Sequence, residues 1–192
     1  QGEAGDIGIA PRGDEADAGL SLAGTKVRRS SSRFCLGVEH GDYNGTELFG
    51  VGTDRFIWMA FKPNDVGRLR LYSGNFEQDG LIDVALDAIP EPGTAPDSWS
   101  RFPMGVAWIL KENGYMLHKG LDAVLYGNIP GGGMSRSASL TLNLLISLAE
   151  VNGIKFPSQM GIVDLAQAVE NEYIGSPCGN LDQIMILFAR EG

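Results

Sequence analysis

Residues Ile129 to Leu140 read IPGGGMSRSASL, and the order of chemistry around this stretch decides the fold. Leu121 to Ile129, immediately before it, reads as a short strand. After it, Leu140, Leu144, Leu148 and Val151 recur at spacings of four, four and three until Asn152-Gly153 closes the pattern, which predicts a helix. A strand, a glycine-rich loop and a helix thus follow one another. Such an arrangement presents unpaired backbone N–H groups at a helix N-terminus, where the donors and the dipole favour an anion. Gly131, Gly132 and Gly133 let the backbone approach a phosphate without interference from Cβ atoms. The hydroxyls of Ser135, Ser137 and Ser139 can bind oxygen anions or a metal. No Gly-Lys-Ser/Thr follows, so this is not the Walker pattern, and a plain linker ahead of a helix would have a similar composition.

Two further polar concentrations flank this loop in the chain. Gly37 to Gly45, GVEHGDYNG, holds Glu39, His40 and Asp42 among three glycines; taken alone it reads as a solvated turn. Ala168 to Gln183, AVENEYIGSPCGNLDQ, follows a helical stripe of Ile162, Ala166, Val169 and Tyr173 that stops at Gly175 and Pro177. Glu170 there reads as part of a solvated helix face. Asp182 precedes the apolar run Ile184 to Ala189, which places it at the edge of a buried segment.

Between these concentrations, Asp54 to Lys62 (DRFIWMAFK) is rich in aromatic and β-favouring residues, and Arg68 to Tyr72 (RLRLY) alternates polar with apolar. With the turn Pro63 to Gly67 between them, they predict a β-hairpin with one buried face. Asp97-Ser98 predicts the start of a helix carrying Trp99, Phe102, Val106 and Ile109 on one side, with Pro103 in its first turn and Asn113-Gly114 at its end. Residues 1 to 25 are rich in Gly, Ala, Asp and Glu with few large apolar side chains, and they read as a flexible N-terminal arm.

Composition narrows the classes. A chain of 192 residues with 43% hydrophobic content has enough material for one proper core. A net charge of −9 and a pI near 4.6 oppose a phosphate-backbone partner, so nucleic acid is not expected. Two cysteines, Cys35 and Cys178, make neither a disulfide framework nor a metal-ligand array, which fits a reducing, cytoplasmic setting. No apolar run reaches the roughly 20 residues that a membrane span needs, so no membrane partner is expected. The sequence does not determine the oligomeric state.

The three concentrations, in this order, resemble the GHMP kinase superfamily, and within it the galactokinase-like members. The stretch Ser32 to Gly45, SRFCLGVEHGDYNG, is similar without a gap to that group's opening motif, including its Glu-His-x-Asp-Tyr-Asn core. Pro130 to Ala138 resembles the group's phosphate loop, and Glu170 with Pro177 to Gln183 resembles its later Glu and Pro-Cys-Gly-x-Met-Asp-Gln. The resemblance covers about residues 26 to 192. It implies an α+β fold of the ribosomal protein S5 domain 2-like type, the N-terminal domain of these kinases, with their C-terminal domain absent from these residues.

The activity implied is ATP-dependent phosphorylation of galactose at its anomeric oxygen. Residue by residue, the resemblance implies that Asp182 acts as base or electrostatic anchor and that Arg33 neutralises charge on the transferred group. It implies that Glu39, His40, Asp42 and Gly179 hold the sugar. It further implies that Gly131, Gly132, Gly133, Ser135, Arg136 and Ser137 bind ATP, and that Ser137 and Glu170 hold Mg²⁺. There are departures. Ser30 to Ser32 and Gly37-Val38 differ from the group's usual residues, and the phosphate loop is one residue short. Arg136 stands at the middle serine, where it either binds phosphate directly or crowds the nucleotide. The resemblance also leaves room for a kinase of a related sugar such as arabinose or galacturonic acid, or for a sugar- or nucleotide-binding sensor without turnover.

Overall fold

The computed structural model describes residues 23–37 and 49–189, and within them five strands form one mixed sheet. In chain order these are β1 (Lys26–Gly37), β2 (Phe49–Asn64), β3 (Arg68–Ser73), β4 (Ile82–Ala85) and β5 (Gly120–Gly127), arranged in space as β1-β2-β5-β3-β4. Only β3 and β5 run parallel; the other neighbours are antiparallel. Side chains alternate across a strand, so Ile57, Met59 and Phe61 of β2, Leu69 and Leu71 of β3, and Leu121, Ala123 and Leu125 of β5 bury one face. Each of the larger of these side chains, fully buried, contributes about 1.5–3 kcal/mol. Helices α1 (Arg101–Glu112) and α2 (Arg136–Val151) complete this core through Val106, Ile109, Leu142, Leu145 and Leu148. Helix α3 (Gln159–Ala168) runs into a π-helical turn, Val169–Ile174, and α4 (Leu181–Phe188) follows. This is the expected α+β architecture.

The expected hairpin of β2 with β3 does not form. The turn at residues 65 to 67 is present, but β5 lies between the two strands, antiparallel to β2 from Asn64 opposite Gly120 to Ile57 opposite Gly127. It runs parallel to β3 from Leu69 opposite Leu121 to Ser73 opposite Leu125. The physical reason is that β5 is apolar enough to be shared by two neighbours, so inserting it buries more than a two-stranded ribbon would. The insertion point is held open by Asn64, whose Nδ2 donates to Arg68 O (2.8 Å) and Asp122 Oδ1 (2.6 Å). Gly120 threads through it: a Cβ there would lie 2.1 Å from Arg68 O.

Smaller differences concern helix ends. Helix α1 starts at Arg101, later than a cap at Asp97-Ser98 predicts, because Ser98 Oγ accepts from Ser100 N (3.2 Å) and bonds Ser100 Oγ (2.6 Å) in a turn ahead of the helix, while Asp97 pairs with Arg101 (3.0 Å). Pro103 sits in the first turn and Asn113-Gly114 ends the helix, as expected. Of the expected N-terminal arm, residues 1–22 lie outside the described residues. Among the described residues, no helix is long and apolar enough to cross a membrane.

Candidate active site

The site begins with an irregularity in β1. Its inward residues run Arg28, Ser30, Ser32 and then Arg33, whereas strict alternation would send Arg33 outward. Ser32 is fully buried and Arg33 is 6% exposed, while Phe34 and Leu36 are about half exposed. The register explains the change of phase: between Ser31 opposite Phe56 and Arg33 opposite Gly52, β1 advances two residues and β2 four. A hydrogen bond between the Ser32 and Thr53 hydroxyls pins the bulge. Irregularities of this kind re-aim side chains. Here the consequence is that a guanidinium points into the molecule.

Helix α4 supplies its partner. A Cβ at Gly50 would meet Met185 Cε at 3.4 Å and one at Gly52 would meet Ala189 Cβ at 3.3 Å, so the helix lies close on β2 and brings Asp182, in its first turn, to Arg33. Arg33 Nε and Nη2 lie 2.6 and 2.5 Å from Asp182 Oδ1, and Nη1 donates to Gly133 O at 2.9 Å. One guanidinium therefore ties together β1, α4 and the glycine-rich loop.

These groups open onto a cavity of about 410 Å³ at the ends of the parallel pair β3 and β5, where Ser73 and Gly127 line it. Asn75 shapes this end by exchanging two hydrogen bonds with Gly127 (2.9 and 2.7 Å). Its polar lining comprises Arg33, Asp182, Gly131 to Gly133, Ser135, Arg136 and Ser137. Its apolar lining includes Phe76, stacked on Trp99 (centroids 6.5 Å apart), and Phe102. Gly132 and Gly133 have φ of +87° and +75°, and Ser135, the N-cap of α2, is left-handed at φ +55°. This is a conformation that costs a residue bearing a Cβ. The first bond of the α2 ladder runs from Ser139 N to Ser135 O (3.0 Å), so the amides of Arg136, Ser137 and Ala138 precede it. Two polar atoms of the cavity residues are buried without a partner, Ser135 Oγ and Trp99 Nε1.

Behind Asp182 lies a second cluster. Glu170, on the π-helical turn, is 6% exposed and so is not on a solvated helix face; the turn folds it inward against α4. Its Oε2 accepts from Cys178 Sγ (3.1 Å) and from Gln183 Nε2 (3.2 Å), while its Oε1 is buried without a partner. Burial, then the hydrogen bond and charge of Glu170, pushes the Cys178 thiol up to about 12, which keeps it a protonated donor. Among the described residues no group of three or more His, Cys, Asp or Glu side chains is arranged to hold a metal ion.

Of the expected site residues, Arg33, Asp182, Gly131, Gly132, Gly133, Ser135, Arg136 and Ser137 share the one cavity. Glu170 and Gly179 do not line it, although Glu170 reaches α4 through Gln183, the neighbour of Asp182. Glu39, His40 and Asp42 lie outside the described residues. Sequence reasoning gave Trp99 only a place on a helix, and it gave Phe76 and Asn75 none. The signal for Trp99 was its position ahead of Pro103, in a turn and not in the helix interior.

Known proteins share this sequence pattern and fold. Residues 101–190 match the family described as GHMP kinases N terminal domain. Galactokinase of Streptococcus mutans is 36% identical over 158 residues, which are 82% of this chain and 40% of that protein. Galactokinase of Bacillus subtilis is 35% identical over 154 residues, covering 77% of this chain and 37% of that one. The crystal structure of Lactococcus lactis galactokinase complexed with galactose superimposes with a TM-score of 0.85 at 31% identity, over 92% of this chain and 45% of that one. Methanococcus jannaschii mevalonate kinase shares the fold, with a TM-score of 0.72 at 17% identity. The chain thus spans less than half the length of these galactokinases.

Proposed function

We propose that this chain is the N-terminal domain of a GHMP kinase and forms the sugar- and phosphate-facing part of a galactokinase site. The reaction is ATP-dependent phosphorylation of galactose at the anomeric oxygen. The observation that carries this reading is the Arg33–Asp182 pair beside the Gly131–Gly133 loop on one cavity wall.

In this reading the polyphosphate lies along the loop and the amides of the first turn of α2, and the nucleotide base lies against Phe76, Trp99 and Phe102. The anomeric oxygen bonds to the γ-phosphorus as the bond to the ADP oxygen breaks, and the hydroxyl proton passes to Asp182. Because Arg33 occupies Oδ1, the other carboxylate oxygen is the acceptor. Arg33 is held from two sides, so its charge is in place before charge builds up on the transferred group, which is where fixed donors are worth most. Glu39, His40, Asp42 and Gly179 hold the sugar hydroxyls. The unpartnered Oε1 of Glu170 fits a role toward Mg²⁺, which Ser137 and Glu170 would hold and which, when bound, offsets phosphate charge. A cytoplasmic setting fits this chemistry.

The test is sugar choice in the whole natural protein. A site built for one hydroxyl direction leaves a polar group unpaired with the C4 epimer, so galactose should bind at least about tenfold more tightly than glucose. Equal affinities by calorimetry contradict the reading.

A further inference from the structure

Among the residues lining the cavity the charged ones are Arg33, Asp182 and Arg136. Asp182 pairs with Arg33 at 2.5 Å, so among the described lining residues the surplus charge is that of Arg136. The chain as a whole carries a net charge of −9, which makes a locally positive wall a feature of placement, not of composition. Arg136 is the first residue of α2, exposed, with no acidic partner among the described residues. Its Nη1 would lie 4.0 Å from a Cβ placed on Gly131. The side chain is therefore folded back over the first glycine of the loop. It lines the same cavity as its neighbour Ser135, whose buried Oγ has no partner. A guanidinium, amides ahead of a helix ladder and an unsatisfied hydroxyl converging on one opening are the donor set of an oxyanion site.

We propose that Arg136 grips the polyphosphate of the nucleotide directly, so that nucleotide affinity rests in part on a permanent charge carried by the loop and persists without a divalent cation. This inference rests on the reading of the loop as the phosphate site. A guanidinium offers two parallel N–H donors to a phosphate and cannot lose its proton, whereas a hydroxyl at the same place offers one neutral donor. Arg136 thus settles on the binding side of the alternative between binding phosphate and crowding the nucleotide, since it folds over Gly131 and leaves the cavity open.

The experiment is calorimetric titration of the whole natural protein and its Arg136→Ser and Arg136→Lys variants with ATP and with inorganic tripolyphosphate. Each titration is run in EDTA and in excess Mg²⁺, at low and high salt, with galactose as a folding control. In EDTA the wild type should bind both anions, and Arg136→Ser should weaken both by about ten- to a hundredfold, the worth of hydrogen bonds to a charged group. Arg136→Lys should recover part of the loss, and the salt dependence should flatten in the serine variant because one screened cation has gone. Galactose affinity should not change. Equal or tighter tripolyphosphate binding by Arg136→Ser in EDTA overturns the role of Arg136 while leaving the loop a phosphate site. Absence of binding of either anion to the wild type, with or without Mg²⁺, removes the phosphate site itself and the proposal with it.

Discussion

Replacing Asp182 by Asn keeps the side-chain shape but removes its charge, and the structure sets how much that should cost. The Arg33 side chain is 7% exposed and that of Asp182 27%, with the contacts at 2.5 and 2.6 Å. Leaving one partner of a fully buried pair uncompensated costs about 3–5 kcal/mol. Here Arg33 keeps Gly133 O as an acceptor and solvent reaches part of Asp182, so about 1.5–3 kcal/mol is expected, the scale of hydrogen bonds to charged groups. Against a total of about 5–15 kcal/mol this moves a urea midpoint visibly. Turnover falls separately, by at least about a hundredfold, because Asn can hold the sugar but cannot accept its proton. Urea unfolding at pH 7 and steady-state kinetics on the whole natural protein read the two effects. Adding Arg33→Met to Asp182→Asn should recover part of the stability, since the lone charge is then gone. An unchanged unfolding midpoint in Asp182→Asn refutes the pairing; an unchanged kcat refutes the role given to Asp182.

Gly120→Ala places a methyl 2.1 Å from a backbone oxygen that cannot move without breaking the sheet, so chemical denaturation should show a loss of about 3 kcal/mol; a neutral variant would mean that β5 does not thread between β2 and β3 there. Gly132→Val puts a branched side chain at φ +87° in the loop, so calorimetry should find weaker ATP binding with galactose binding intact; unchanged ATP affinity would make the loop a linker. Burial, then Glu91, pushes the Tyr173 phenol up to about 12, and burial, then Glu170, pushes the Cys178 thiol to the same range. Both groups hold their protons more tightly when folded, so their contribution is complete below the unfolded values, near 9 for the thiol and 10 for the phenol, and is lost as pH rises toward about 12. Unfolding midpoints should fall across that alkaline window and fall less steeply in Tyr173→Phe; parallel curves would contradict this.

Much of the fold could be read from local pattern. The strand, glycine-rich loop and helix around residues 129–140 are where periodicity and turn chemistry put them, because α2 presents a continuous apolar stripe and the loop needs positive φ at Gly132 and Gly133. The pairing of β2 was not legible. A short turn ordinarily joins neighbours, and only Gly120, 53 residues beyond Gly67, betrays that a third strand passes between them. Burial of Glu170 was hidden for a related reason: a helical repeat of 3.6 does not foresee a π-helical turn that rotates the side chain inward. The inward aim of Arg33 depends on a bulge among three serines, with no glycine between Ser30 and Arg33 to mark it. Arg33, Asp182, Ser135, Arg136 and Ser137, named from the motif resemblance, line one cavity with the loop, but the apolar lining by Phe76 and Trp99 depends on tertiary packing that no motif carries.

Phosphoryl transfer itself is the most direct test. Galactose and ATP are incubated with the whole natural protein and Mg²⁺, and the sugar product is followed by phosphorus and proton NMR. A phosphomonoester on the anomeric oxygen, coupled to the anomeric proton and formed in step with ADP, is the predicted result. Galactose bound without any such product, or phosphate carried on another hydroxyl, would contradict the account.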